Sequence, residues 1–385
     1  MTFLKQTGRN NVNGDEEMNS ISLIEIFIAD RRVGRMALTP EGLCGFEYDA
    51  DWLQSGFSIS PFYLPLKSGL IMAKRDPFAG NFGVFDDSLP DGWGNLLLDR
   101  YLQEKGINPD KLNILERLSL IGSTGRGALE YRPDKSIATS DEFLNFDRLA
   151  QEVEKILESK ESEGSVDLLY KYGGSSGGAR PKVFAKIDGK EWLVKFKASS
   201  DPAKVGEIEY NYSLLAKECG IRMAETRLFD GRYFGVERFD RTPKGKIHTI
   251  SAAGLLHANY RIPSLDYSLL LKLTLNLTKD MEQVAEMFRL MVFNILISNR
   301  DDHAKNFSYQ WIDESWKLSP AYDLLPSSGF NGYHTTTING KGEPTLADVL
   351  ALAAEIGLSK QSASSIIKEL TEKCNAKKML KIKLK

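Results

Sequence analysis

Cysteine is scarce in this chain. Its three cysteines, Cys44, Cys219 and Cys374, are odd in number and far apart in sequence. Neither a disulfide framework nor a zinc-binding spacing emerges, which suits a reducing cytoplasm. Histidine is also rare: His248, His257, His303 and His334 stand in unrelated contexts. A metal hydrolase built on Asp301-x-His303 would therefore lack its further ligands. No run of 18 or more apolar residues occurs, so no transmembrane helix is expected. The first twenty residues are polar, without the apolar stretch of a secretory signal. They read as a disordered leader, with Met18 as an alternative start. Charge excess is lacking too: a formal net charge of −2 argues against a broad basic surface for nucleic acid. Only the end of the chain, KCNAKKMLKIKLK, is locally basic. It reads first as a solubilising end to the last helix, and second as a contact for DNA or an acidic partner.

What remains is ordinary for a globular protein, with 42% hydrophobic and 26% charged residues over 385 positions. That length allows two or three domains. Apolar and polar residues alternate from Ile21 to Ile28, Arg31–Gly34 reads as a turn, and Arg35–Leu38 returns as a second strand, with Phe46 and Tyr48 on a third. Residues 90–106 predict a helix with Leu97, Leu98 and Tyr101 on one face, closed by Gly106. The glycine-rich stretch 121–131 ends this α+β region. A charged helix over 146–159 and the polar KESEGS after it read as a linker. Strands follow at Val183–Ile187 and Trp192–Phe196, joined by Asp188-Gly189, a strong hairpin signal. A helix is expected over Val205–Cys219 and a strand over Tyr233–Phe239. Beyond about residue 265, apolar residues recur at three- and four-residue steps through Met281, Val284, Phe288, Met291 and Ile295. A hairpin follows, Phe307–Trp311 and Trp316–Leu318. The expected division is a leader (1–20), an α+β subdomain (21–135), a glycine-loop and strand region (136–265) and a helical catalytic region (266–385).

Chemistry concentrates at the end of that long helix. Asp301 and Asn306 are five positions apart in Asn299-Arg300-Asp301-Asp302-His303-Ala304-Lys305-Asn306. That is the spacing of the protein-kinase catalytic loop, H-R-D-x-x-x-x-N. Asp323, in Leu318-Ser319-Pro320-Ala321-Tyr322-Asp323, follows the hairpin and can return beside Asp301. Phosphoryl transfer uses such a set: a carboxylate for the attacking hydroxyl, and hard oxygens for Mg²⁺. An Asp/Asn-rich turn could equally cap helices. Upstream, Gly173–Gly178 is glycine-rich, and glycine lets backbone N–H groups approach phosphates. No Lys-Ser/Thr follows Gly178, so this is not a Walker A loop, and alone it fits an interdomain linker as well. Lys195, inside the apolar LVKF, is either a lysine snorkelling from an edge strand or the strand lysine that pairs nucleotide phosphates. In the second case Glu209 is its natural helix partner and Glu207 a rival. The order of these signals is that of a kinase.

At these residues the chain resembles the HipA family of bacterial toxin kinases. The matching stretches are GGARPK (177–182), LVKF (193–196), EYNYSLLAKECGI (209–221), VERFDR (236–241), NRDDHAKNFS (299–308) and LSPAYDLLP (318–326). LPDGWGNLLLDRYL (89–102) and GRGALEY (125–131) resemble its N-terminal region. The resemblance implies an α+β HipA-like kinase fold: a mixed N-terminal region on a mainly helical C-terminal one, with ATP between them. It also implies a cytoplasmic serine/threonine protein kinase. Asp301 would be the catalytic base, with His303 organising its loop. Asn306 and Asp323 would hold Mg²⁺, and Lys195 would bind phosphate. Gly177, Gly178, Ala179, Arg180 and Lys182 would form a mobile phosphate loop, and Glu237, Arg238 and Phe239 the adenine-side hinge. Autophosphorylation would fall on Ser175, which adjoins Ser176. The expected partner is a separate HipB-like helix-turn-helix antitoxin, through which alone the kinase would meet DNA. The expected substrate is a translation protein such as an aminoacyl-tRNA synthetase. The rival readings are a catalytically silent co-repressor scaffold and a small-molecule kinase.

Overall fold

A computed structural model describes residues 21–137, 145–158, 165–329, 331–381 and 384. The expected leader lies outside these residues, as does most of the expected linker at 160–165. The fold is α+β. Strands β1 (Leu23–Ile28), β2 (Arg31–Leu38), β3 (Cys44–Tyr48), β4 (Ile71–Met72) and β5 (Leu129–Arg132) form an antiparallel sheet in the order β4-β3-β2-β1-β5. The turn between β1 and β2 is at Ala29–Asp30, earlier than the sequence pattern placed it, and Arg31–Gly34 belongs to β2. A bulge explains the discrepancy. The register runs Ile26 to Gly34 and then Phe27 to Arg32, so Val33 is the extra residue and alternation breaks there.

The second sheet has the order β6-β7-β9-β8, from β6 (Lys182–Ile187), β7 (Lys190–Lys195), β8 (Thr226–Phe229) and β9 (Tyr233–Glu237). Asp188 and Gly189 both have positive φ, 53° and 77°, the backbone a two-residue type I′ hairpin requires. Between the two strand pairs runs the helix Val205–Glu218, which buries Val205, Tyr212 and Leu215. Towards the C-terminus come the helices Tyr267–Thr278, Met281–Ile297, Leu346–Glu355 and Lys360–Ala376. The hairpin Ser308–Ile312/Ser315–Leu318 pairs with Thr249–Ser251.

Two apolar cores cut across the expected boundaries along the chain. The helix Gly92–Glu104 sends Trp93, Leu97, Leu98 and Leu102 into a core with Val183, Val194 and Phe196 of the second sheet region. At about 1.5–3 kcal/mol for each large apolar side chain buried, this early helix is bound firmly to the later sheet. The helix Phe146–Leu157 joins the same core through Phe146, Leu149, Val153 and Ile156, so it is a packed element rather than a linker. The larger core unites the first sheet with the C-terminal helices and with Leu215 and Ile221. All three cysteines are free and buried.

Candidate active site

The second sheet, the helix Val205–Glu218 and the loops at 299–306 and 322–327 meet at a cavity of about 460 Å³. Its lining includes Asp301, His303, Asn306 and Asp323 from the C-terminal region, and Ser175, Gly177, Gly178, Ala179, Arg180 and Lys182 from the glycine loop. Lys195, Glu209, Glu237, Arg238 and Phe239 line it as well. Every residue given a site role from the sequence therefore lines one cavity, although they come from six separate stretches of chain.

Lys195 ends β7 with its ammonium 2.5 Å from Glu209 Oε1 and in contact with Asp323 Oδ1. The rival, Glu207, instead pairs with Lys204 at 3.3 Å near the surface. Burial works against the charge on Lys195, but Asp323 and Glu209 outweigh it and hold its pKa above the ordinary lysine range. Burial would likewise raise Asp323, yet Lys195 and Lys182 keep that carboxylate well below its usual value. Asp323 has a left-handed backbone, φ 55°, and Asn299 Nδ2 donates to its carbonyl at 3.1 Å. Lys182 is buried, and its ammonium donates to Gly177 O at 2.5 Å; burial lowers its pKa, with Asp323 opposing.

The loop after Met281–Ile297 turns at Ser298, φ 57°. Asp301 faces the mouth, with 65% of its side chain exposed. The cleft walls nevertheless raise its pKa, with His303 and Arg180 opposing and Asp323 reinforcing. His303 Nε2 lies 4.0 Å from Asp301 Oδ1. Asn306 Nδ2 donates to the Asp301 carbonyl at 2.6 Å, which commits the amide nitrogen and leaves Oδ1 as its oxygen donor. Asn306 Oδ1 and the Asp323 carboxylate are hard oxygen ligands, the kind Mg²⁺ takes one or two of when substrate phosphates complete its shell. Among the described residues no group of three or more His, Cys, Asp or Glu is placed to hold a metal by itself. The donor set thus fits a cation that arrives with a nucleotide.

Not every expected residue points its side chain inward. Glu237 pairs with Lys190 at 2.7 Å. The Arg238 guanidinium is buried, 2.8 Å from Asp240 Oδ2 and 4.3 Å above the Phe184 ring. These contacts tie it to the segment that follows β9, and it still lines the cavity. Phe239 lies beside Tyr322, ring centroids 5.6 Å apart. Of the two loop serines, Ser176 is fully buried with its hydroxyl 2.6 Å from Gly173 O, whereas Ser175 lines the cavity and donates to Thr124 O at 3.2 Å.

The sequence pattern assigns no role to several other groups at the site. Arg126 donates to Ser308 Oγ at 2.7 Å and to Tyr322 Oη at 2.9 Å. Asp302, adjacent to Asp301, points backwards into the protein, where Tyr267 Oη, His334 Nδ1 and the N–H groups of Thr335 and Thr336 surround it at 2.9–3.1 Å. Lys305 lies 3.2 Å from Asp91 Oδ2 and 4.1 Å from the Tyr260 ring centroid. The quoted motifs contain Asp91 and Lys305, but they are 214 positions apart, and nothing local joins them.

Two family models match this chain: the HipA-like C-terminal domain over 174–378 and the HipA N-terminal domain over 24–132. Y4dM of Sinorhizobium fredii, a kinase by designation, is 27% identical over 340 residues, covering 80% of this chain and 81% of that protein. The serine/threonine-protein kinase toxin HipA of Shewanella oneidensis is 23% identical over 336 residues, covering 78% and 74%. A solved complex of Shewanella oneidensis HipA with HipB and operator DNA contains a chain of the same fold, with TM-score 0.68 and 20% identity over 94% of this chain and 92% of that one.

Proposed function

The chain belongs to the HipA family, and from that premise we propose that it is an ATP-dependent serine/threonine protein kinase, the toxin of a toxin–antitoxin pair. The observation that carries this reading is the convergence, in one cavity, of the Lys195–Glu209 pair, Asp323, Asp301, Asn306 and a glycine-rich loop. Lys195 would neutralise nucleotide phosphates, its ammonium held ready by Glu209. Backbone N–H groups of Gly177, Ala179 and Arg180 would lie over those phosphates. Asn306 and Asp323 would hold Mg²⁺, whose charge would offset that of the phosphates when bound. Asp301, at the mouth, is where a protein hydroxyl can arrive. Its carboxylate would orient that hydroxyl and take its proton as the new P–O bond forms and the bond to ADP breaks.

Ser175 is half-buried and lines the cavity whereas Ser176 is fully buried, which favours Ser175 as the autophosphorylated residue. A phosphate there would set nearly two negative charges where the loop should attract ATP. The proposed partner is a separate HipB-like antitoxin, supported by the fold shared with a HipA chain solved with HipB and operator DNA. The proposed target is a translation-related protein, and the proposed compartment is the cytoplasm. No helix of the described residues is long and apolar enough to cross a membrane.

Radiolabelled ATP with Mg²⁺ tests the reading. Wild type should label itself and a protein of a cell extract, and Asp301→Asn should lose about 10²–10⁴-fold in rate without losing its fold. An inactive wild type would overturn the kinase, label appearing only on a metabolite would overturn the protein substrate, and undiminished transfer by Asp301→Asn would overturn the assigned base. Ser175→Ala should remove the phosphopeptide covering the loop.

A further inference from the structure

Asp91 stands at the N-cap of the helix Gly92–Glu104, where an aspartate ordinarily accepts from its own helix, a contact worth about 1 kcal/mol. This one makes no such cap bond. Its Oδ1 accepts from the Gly178 N–H in the glycine loop, and its Oδ2 from the Lys305 ammonium in the loop that carries Asp301 and Asn306. The rest of its segment is built around the glycine loop too. Trp93 N–H donates to Gly178 O at 3.0 Å, so the loop satisfies one of the helix's orphan donors. The Trp93 indole donates to Lys182 O at 3.1 Å.

Neither Gly92 nor Gly94 tolerates a side chain. A Cβ on Gly92, itself at φ 30°, would come within 2.6 Å of Ala179 Cα and 2.8 Å of Gly178 O, and one on Gly94 would overlap Ser176 O. Pro90–Gly94 is therefore a cradle moulded to the loop's backbone. On the other side, Lys305 is confined between Asp91, Asp86 at 3.9 Å and the Tyr260 ring, with its side chain 11% exposed.

We propose that Asp91 is a positioning residue that couples the glycine loop to the catalytic loop through Lys305, so that the N-terminal region sets the geometry in which phosphates meet Asp301. The proposal rests on the kinase reading above. One carboxylate shared between a loop N–H and an ammonium restrains both partners, and displacing either loosens the other. Misplacing the loop by about 1 Å costs on the order of 10²-fold in rate.

Three variants test it: Asp91→Asn, which keeps the size and an acceptor for Gly178 but removes the ion pair; Asp91→Ala, which removes both contacts; and Lys305→Met. Each should lower kcat/KM for ATP about 10- to 100-fold, and Asp91→Ala with Lys305→Met should lose no more than the worse single variant. Amide hydrogen exchange of residues 176–180 needs no activity. It should accelerate in Lys305→Met, whose ammonium pairs with Asp91 and Asp86 rather than with those residues, while melting temperatures stay near wild type. Losses in the double variant that multiply, or unchanged exchange at 176–180 in Lys305→Met, would overturn the coupling. A wild type without phosphotransfer would overturn the kinase reading instead, and the exchange result would still decide for or against the link.

Discussion

The two walls of the cleft are secured by different means. The catalytic-loop wall, residues 299–306, is tied from behind through buried polar groups. Asp302 is ringed by Tyr267, His334, Thr335 and Thr336, Asn294 Nδ2 reaches Tyr267 Oη at 3.2 Å, and Asn299 Nδ2 reaches Asn294 Oδ1 at 3.0 Å. The glycine-loop wall, residues 174–182, is held at its front by Asp91, Trp93 and Lys182, and Gly177 and Ala179 are exposed. A densely bonded buried network favours one arrangement; a loop exposed at Gly177 and Ala179 is the readier of the two to open locally. One wall keeps Asp301 in place; under the proposed function the other would be the one to admit and release a nucleotide.

Breaking the rigid wall should give the largest effect. Asp302→Ala leaves two backbone donors, a tyrosine hydroxyl and an imidazole nitrogen without their shared acceptor. At about 1–3 kcal/mol for each stranded buried group, partly relieved by water, a loss of roughly 3–5 kcal/mol is expected. Urea unfolding measures it directly. A loss under about 1 kcal/mol would mean that Asp302 does not anchor the loop.

Acid should act next, on the hairpin that follows the catalytic-loop wall. His248 packs against that hairpin: its carbonyl accepts from Trp311 N–H at 3.0 Å, and its buried Nε2 lies 2.9 Å from Ile59 O. Burial lowers its pKa from 6.5 to about 4. Between those values the unfolded chain binds a proton that the folded protein refuses, so stability rises with pH across the window. The contribution is complete above 6.5 and is lost as pH falls towards 4, about 3 kcal/mol in all. His257 shifts the same way, while Asp86, pushed up to about 6 by burial, works in the opposite sense. The informative quantity is thus the difference between wild type and His248→Gln. The variant's stability should fall less steeply from pH 6.5 to 4, and parallel curves would remove His248 as the cause.

The two walls were also unequally legible in the amino-acid sequence. Asp301, Asn306 and Asp323 stand within 23 residues of one another, and the hairpin between them has a pattern of its own, so spacing alone could bring them together. Lys195 and Glu209 needed only one strand and the next helix. Asp188-Gly189 specified its hairpin because few residue pairs accept two positive φ values. The cradle offered no comparable signal, because Asp91 meets Gly178 and Lys305 through tertiary packing of the helix Gly92–Glu104 onto a sheet ninety residues later. Strands as short as Thr226–Phe229 and Thr249–Ser251 carry too few residues for a period to register. The β1–β2 turn was displaced because a bulge at Val33 mimics a break in alternation. Arg238 entered only through the family resemblance; it lines the cavity, and its pairing with Asp240 and Glu191 is visible only in three dimensions.

The smallest expected effect is the one that separates the walls most cleanly. Trp93→Phe removes a single indole N–H from Lys182 O and leaves an aromatic ring in the same core. The global cost should be about 1 kcal/mol, well below that of Asp302→Ala. The local consequence should be larger, because that bond is one of few that fix where the glycine loop begins its ascent into β6. Limited proteolysis or hydrogen exchange over 174–182 should quicken, with the exchange of 299–306 unchanged. If Trp93→Phe instead destabilises the whole protein as much as Asp302→Ala, or loosens both loops equally, the glycine loop is built into the fold as firmly as the catalytic loop, and a closed cleft would have to open by some other part of the molecule.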